Sequence, residues 1–203
     1  MSKRRAVKTR ILITAAVLLV PLQAKAATVT INTGSQRAAI SPYIYGSNQQ
    51  MEGDENLTLM RLGGNRMTGY NWENNASNAG ADWYHSSDEY MCYGGNVTPV
   101  SATDCASTAG AALYYFRDYC INRGYDSIIT MPMAGYVAAD KNGTVAVGET
   151  APSARWKIAI SKKPGAFQYP PDLTDNFVYA DESVWRLTQK YGNSSSPYGV
   201  KFY

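Results

Sequence analysis

Between Arg61 and Asp88 the chain runs RLGGNRMTGYNWENNASNAGADWYHSSD, and this segment gathers most of the groups able to recognise a polyhydroxylated ligand. Arg66, Asn65, Asn71, Asn74 and Asn75 offer planar, multiply hydrogen-bonding heads, while Tyr70, Trp72, Trp83 and Tyr84 offer flat rings. Sugars expose hydroxyls at the edge and weakly polar C–H bonds on the face, so amides and guanidinium suit the edge and rings suit the face. The same composition also suits a hydrogen-bonded surface loop that binds nothing. Arg66 could equally clamp Glu73 or Asp82, Trp72 and Trp83 could be buried beneath the loop, and His85, the one histidine, fits a loop hydrogen-bonder better than a base.

The segment is embedded in an alternation of short apolar strands and helices. Tyr43 to Gly46 and Thr58 to Leu62 are short strand candidates, each running into glycine or polar residues. From Asn65 to Thr108 there is almost no period, a length typical of binding loops. A helix is predicted from about Ala109 to Asn122, with Leu113, Phe116 and Cys120 on one face and Gly124 as its stop. Asp126 to Met133 is a continuous apolar run of the kind found in buried parallel strands. Residues 138–152 are polar and glycine-rich, and Arg155-Trp156-Lys157 opens a further short segment. A second helix is predicted over Asp181 to Tyr191, with Val184, Leu187 and Tyr191 at helical spacing, and a new strand begins at Gly199. Helix followed by buried strand is the βα alternation of an α/β fold.

Residues 1–27 have the form of a signal peptide: a basic start, the apolar run ILITAAVLLV and an Ala24-Lys25-Ala26 cleavage site. The apolar run is short for a membrane span. That leader carries six of the 19 basic residues and no acidic ones, so 13 basic groups remain against 16 acidic ones. The excess positive charge therefore belongs to the leader, and the remainder has nothing to attract nucleic acid. After export, no membrane association is expected. The alternating TVTINT at 28–33 and Gln36 to Ile40 predict two short strands around Gly34-Ser35. Sixteen Tyr with four Trp favour wet surfaces and carbohydrate grooves, although many Tyr could simply be half-buried.

Three cysteines agree with an oxidising compartment. Cys92 and Cys105 are close enough to clip the intervening loop, whereas Cys120 is either a buried thiol or the partner of a cysteine outside this chain. No Cys/His spacing resembles a zinc site.

Four blocks in order, ISPYIYGSNQ at 40–49, the 61–88 segment, SARWK at 153–157 and PDLTDNFVYADE at 171–182, resemble the amino-terminal part of the glycoside hydrolase family 44 catalytic domain. The resemblance implies a secreted β-1,4-glucanase acting on cellulose-type or xyloglucan-type chains by a retaining mechanism. It implies that residues 41–203 form the first half of a (β/α)8 barrel, with residues 28–40 as strands of a flanking β-sandwich. Such a barrel needs about 250 residues, so the chain is expected to be a fragment that is itself inactive. By the same resemblance Asn65, Arg66, Tyr70, Trp72 and Trp83 line the substrate cleft, and the strand starting at Val200 leads towards an Asn-Glu pair carrying the catalytic acid. The nucleophilic Glu is expected further on, which leaves no catalytic residue within these 203 positions. Family members can carry calcium, for which Glu89, Asp172 and Asp175 are the candidate ligands; solvated surface acids are the simpler account, and no cofactor is required. A monomer working on a β-glucan polysaccharide is expected. The alternatives are a non-catalytic secreted carbohydrate-binding module and, with less support, a periplasmic sugar-binding protein.

Overall fold

The computed structural model describes residues 27–35, 37–48, 56–94 and 99–203, which divide between two compact units, residues 1–39 and 40–203. The leader expected over 1–27 lies outside the described residues except for Ala27. In the first unit, a turn occupies 33–35, but no strand forms at 28–33. Val29 and Ile31 are about four-fifths exposed. This corrects the expectation of a strand pair there: alternation gives a strand only where another strand satisfies its backbone.

The second unit is mixed α/β. Its elements run β1 (Gly46–Asn48), β2 (Leu59–Leu62), α1 (Asn65–Thr68), β3 (Ser77–Asn78), β4 (Ser86–Asp88), α2 (Tyr90–Tyr93), α3 (Ala102–Ser107), α4 (Ala111–Arg123), β5 (Asp126–Ile129), β6 (Tyr136–Ala138), β7 (Gly143–Thr144), β8 (Trp156–Ile160), β9 (Phe177–Tyr179) and α5 (Ala180–Tyr191). The organising sheet is β1-β2-β5, parallel throughout, with Leu59 opposite Gly46 and Asp126. A parallel bridge from Ile128 to Phe202 adds the start of a fourth strand on the other side of β5.

The apolar run of β2 is consumed by burial on the helix side of this sheet. Met60 and Leu62 are 1% exposed and pack with Ile129, with Leu113, Phe116 and Cys120 of α4, with Leu187 and Tyr191 of α5, and with Val200. The predicted apolar face of α4 is therefore the one buried. Gly124 closes α4 in the left-handed region at φ 71°, and its N–H reaches the carbonyls of Cys120 and Ile121, which a residue with a Cβ could reach only under strain. The strand predicted over Asp126 to Met133 stops at Ile129, three residues before Pro132. Arg117 is 1% exposed within α4, and it donates from Nε to the Tyr198 carbonyl at 2.8 Å and from Nη1 to the Tyr125 carbonyl at 3.0 Å. That bond set ties α4 to the segment entering the fourth strand. Within these residues the sheet is open, and no closed barrel is present.

Two long insertions interrupt the alternation. Residues 63–110 follow the carboxyl end of β2 and residues 130–179 follow the carboxyl end of β5, so both leave the parallel sheet at the same end. They build two further sheets, β3-β4-β7 and β6-β8-β9. Sequence periodicity did not predict these strands of two to five residues, which are too short to show a period.

Candidate functional site

Both insertions leave the carboxyl end of the parallel sheet, and side-chain amides fasten them together. Asn71 Nδ2 donates to the Ala138 carbonyl at 3.0 Å and Asn74 Nδ2 to the Ala139 carbonyl at 2.9 Å. Asn75, held at φ 59°, donates to the carbonyls of Cys105 and Thr108 and accepts from the Tyr70 hydroxyl at 2.7 Å. Asn78 bridges the His85 carbonyl and Ser87 Oγ. An amide carries both donors and an acceptor, so each Asn replaces a missing stretch of backbone ladder. Gly69 belongs to the same joint, because a Cβ there would stand 2.6 Å from the Asn78 carbonyl oxygen.

The expected cleft residues therefore divide. Tyr70 and Trp72 are 2% and 4% exposed, with the Trp72 indole donating to the Tyr179 carbonyl at 3.2 Å. Burial pushes the Tyr70 phenol well above its ordinary pKa. Both rings lie inside the unit, where they support the loops. Arg66 is 8% exposed; it pairs with Asp88, lies near Ser77 Oγ and sits 4.7 Å above the Tyr90 ring. It is a clamp, on Asp88 instead of Glu73 or Asp82. Asn65 and Trp83 do remain on the surface, Asn65 donating to Asp82 and Trp83 standing 55% exposed beside Tyr84, which is 76% exposed. Tyr84 and His85 both have positive φ, a costly conformation for bulky residues that presents the Trp83–Tyr84 ring pair outward. His85 Nδ1 is buried without a hydrogen-bond partner.

Carboxylates around the insertions are committed to neighbours. Glu73 is 4% exposed with Oε2 at 2.9 Å from Lys157 Nζ; burial raises its pKa to about 7, the lysine acting in the opposite direction. Glu89 accepts from Lys141 at 2.8 Å and from the Tyr93 hydroxyl, and the lysine bond holds it below the usual carboxylate range. Asp172 accepts from the Thr174 hydroxyl and N–H, which lowers it likewise. Asp175 lies 3.9 Å from Lys157. Glu89, Asp172 and Asp175 are thus not drawn together, and among the described residues no three His, Cys, Asp or Glu side chains form a group able to hold a metal. Cys92 and Cys105 form the expected disulfide, and Cys120 is a buried free thiol.

Two concavities adjoin at Tyr136 and Trp156, the first between the insertions and the second within the later one. One, of about 320 Å³, is lined by Asn65, Thr68, Gly69, Asn78, Ala79 and Gly80 from the first insertion and by Ala134, Tyr136, Ala151 and Trp156 from the second. The other, of about 590 Å³, lies against β8 and the 173–176 turn and shares Tyr136 and Trp156 with the first. Neither ring is among the site residues expected from the sequence, although Trp156 lies in the SARWK block and, with Ile158 at i+2 behind the polar 138–152 stretch, carries a faint strand signal.

The family model for glycoside hydrolase family 44 matches residues 76–203. The chain belongs to glycoside hydrolase family 44. It is 52% identical over 176 residues to Endoglucanase A of Paenibacillus lautus, covering 87% of this chain and 25% of the relative. It is 51% identical to a beta-mannanase/endoglucanase A of Caldicellulosiruptor saccharolyticus, covering 86% of this chain and 13% of the relative. Among solved structures, a family 44 xyloglucanase from Paenibacillus polymyxa bound to xyloglucan matches with a TM-score of 0.74 at 54% identity, over 79% of this chain and 31% of that one. A family 44 endoglucanase from Clostridium thermocellum matches with a TM-score of 0.75 at 47% identity, over 81% and 31%. The chain thus spans a quarter or less of the length of these curated relatives.

Proposed function

We propose that this chain is the amino-terminal part of a secreted, retaining endo-β-1,4-glucanase, with its catalytic acid and nucleophile supplied from outside these 203 residues. The observation that carries the proposal is the parallel order β1-β2-β5 with Phe202 bridged to Ile128, from whose carboxyl ends both long insertions depart. Such an order would suit the first strands of a (β/α)8 barrel, a fold whose chemistry gathers at the carboxyl ends of its strands. The relatives' activities on glucan chains support a β-linked glucan as substrate, and the basic leader with its Ala-x-Ala site supports export.

A retaining mechanism needs two carboxyl groups about 5 to 5.5 Å apart, one donating a proton to the leaving oxygen and one attacking the anomeric carbon. The contribution of this chain would be binding. Asn65 and the Trp83–Tyr84 pair form the exposed rim, held by the Arg66–Asp88 clamp and the amide brackets behind it. The test compares the full-length polypeptide with the 203-residue chain on carboxymethylcellulose and xyloglucan. Reducing ends should form only with the former, and NMR should show the first product with the β anomeric configuration. Release of α product, or no release from either glucan, would overturn the proposal.

A further inference from the structure

The solvent face of the small sheet β6-β8-β9 has an unusual composition. Residues directly opposite one another across a ladder share a face, so the pairings of Tyr136 with Ile158, Ala138 with Trp156 and Ile158 with Phe177 put Tyr136, Trp156, Ile158 and Phe177 on one side. The other side carries Val137, Lys157, Ala159 and Val178, with Val137 and Val178 at 0% and 1% exposed and Lys157 reaching the buried Glu73. The inner face is therefore spoken for, while the outer one buries Ala138 and Tyr179 but leaves Tyr136, Trp156 and Phe177 half-buried and Ile158 exposed, an aromatic and aliphatic strip where water-facing strands are ordinarily polar.

Trp156 is fixed in place. Its indole N–H donates to the Glu149 carbonyl at 3.1 Å, and Arg155 beside it binds Asp140, Glu149 and the carbonyls of Gly143 and Thr144. A ring held this way loses little freedom when a ligand stacks on it. The two concavities meet at Tyr136 and Trp156, one reaching Asn65 at the sheet's carboxyl end and the other reaching Asn176 and Thr174 on the far rim.

We infer that the Tyr136–Trp156 strip is a distal extension of the glucan cleft, binding further β-1,4-linked hexopyranose units of a chain that enters at Asn65. The inference rests on the glucanase proposal for the identity of the chain at the mouth. Ring faces spaced along a strand suit the flat, ribbon-like face of a β-1,4-linked polymer, while Asn176 and Thr174 supply edge hydrogen bonds. Short oligosaccharides would be held at the mouth alone, and long ones at both places.

The experiment measures binding of thio-linked β-1,4 gluco-oligosaccharides of six and three units, which resist hydrolysis, to the full-length polypeptide by calorimetry. Trp156→Ala should weaken the hexamer about tenfold and leave the trimer within about twofold, with Trp156→Phe intermediate. Asn176→Ala, on an exposed position, should weaken the hexamer about threefold without moving the thermal midpoint. Should Trp156→Ala fail to fold, Trp156→Phe and Asn176→Ala decide the matter alone. Parental affinity for the hexamer in these variants, equal losses on both lengths, or a parent that does not bind the hexamer would each overturn the inference. Length-dependent binding in a protein that releases no sugar from any glucan would leave this site standing and remove the hydrolase assignment instead.

Discussion

Lys157 Nζ lies 2.9 Å from Glu73 Oε2, an ion pair between the two insertions whose side chains are 11% and 1% exposed. Lys157 also donates to the Leu173 carbonyl at 3.2 Å, so one lysine fixes the first insertion to the 173–176 turn. Burial dominates the carboxyl group, whose pKa rises to about 7 in the folded protein from an ordinary 4.5. The folded state therefore binds more protons than the unfolded one between those values. The stability contributed by Glu73 is complete below about pH 4.5 and is lost as pH rises through 7.

Glu73→Gln should remove that dependence. Chemical denaturation midpoints of parent and variant, taken from pH 4.5 to 8, should show the parent losing stability relative to the variant as pH rises. A difference independent of pH would show that Glu73 is ionised throughout and that the lysine outweighs burial.

The Cys92–Cys105 disulfide closes a loop with a sequence separation of 13 and joins α2 to α3. Replacing both cysteines by serine should cost about 3 kcal/mol, mainly by freeing the unfolded chain. Thermal unfolding of the double variant, set beside the reduced parent, measures the loss, and the two should agree if loop closure is the cause.

How much of this could be seen beforehand depended on whether a residue's partner was near in sequence. Helices α4 and α5 and strands β2 and β5 were legible because their apolar spacing and glycine stops are local signals. The amide-rich loop was legible as something built for hydrogen bonding, but not what it bonds to. Asn71 finds its partner 67 residues away at Ala138, and Trp72 finds Tyr179 at 107 residues. Trp72 is buried by that distant pairing, whereas Tyr70 and Arg66 are buried against partners within the first insertion, Asn75 and Asp88. The Tyr136–Trp156 strip escaped notice for a related reason, since its two rings belong to strands that meet only through an antiparallel pairing.

Arg66 and Trp83 should consequently behave in opposite ways. Arg66→Ala leaves Asp88 without its cation and should destabilise the fold by about 2 kcal/mol, below the roughly 3–5 kcal/mol of a fully buried pair because Asp88 is partly exposed. Trp83→Ala, at a site 55% exposed, should change stability by less than about 0.5 kcal/mol. In the full-length polypeptide the Trp83 variant should instead raise KM on glucan oligosaccharides. Equilibrium denaturation with steady-state kinetics on both variants separates support from contact.

Cys120 supplies a test of whether the helix side of the sheet is as closed as its packing implies. Its thiol is 0% exposed among Met60, Leu62, Phe116 and Ile129, and burial pushes its pKa up to about 12 although Arg117 opposes the shift. Thiolate is the reactive form, so at pH 8 the native thiol should resist Ellman's reagent and label only as the chain unfolds. Arg117→Met would strip the carbonyls of Tyr125 and Tyr198 of a shared donor and should speed that labelling by raising the open population. Labelling at full rate in the folded parent would mean that α4 does not seal the sheet. In that case the packing of the sheet, and with it the position of both insertions, would need a different account.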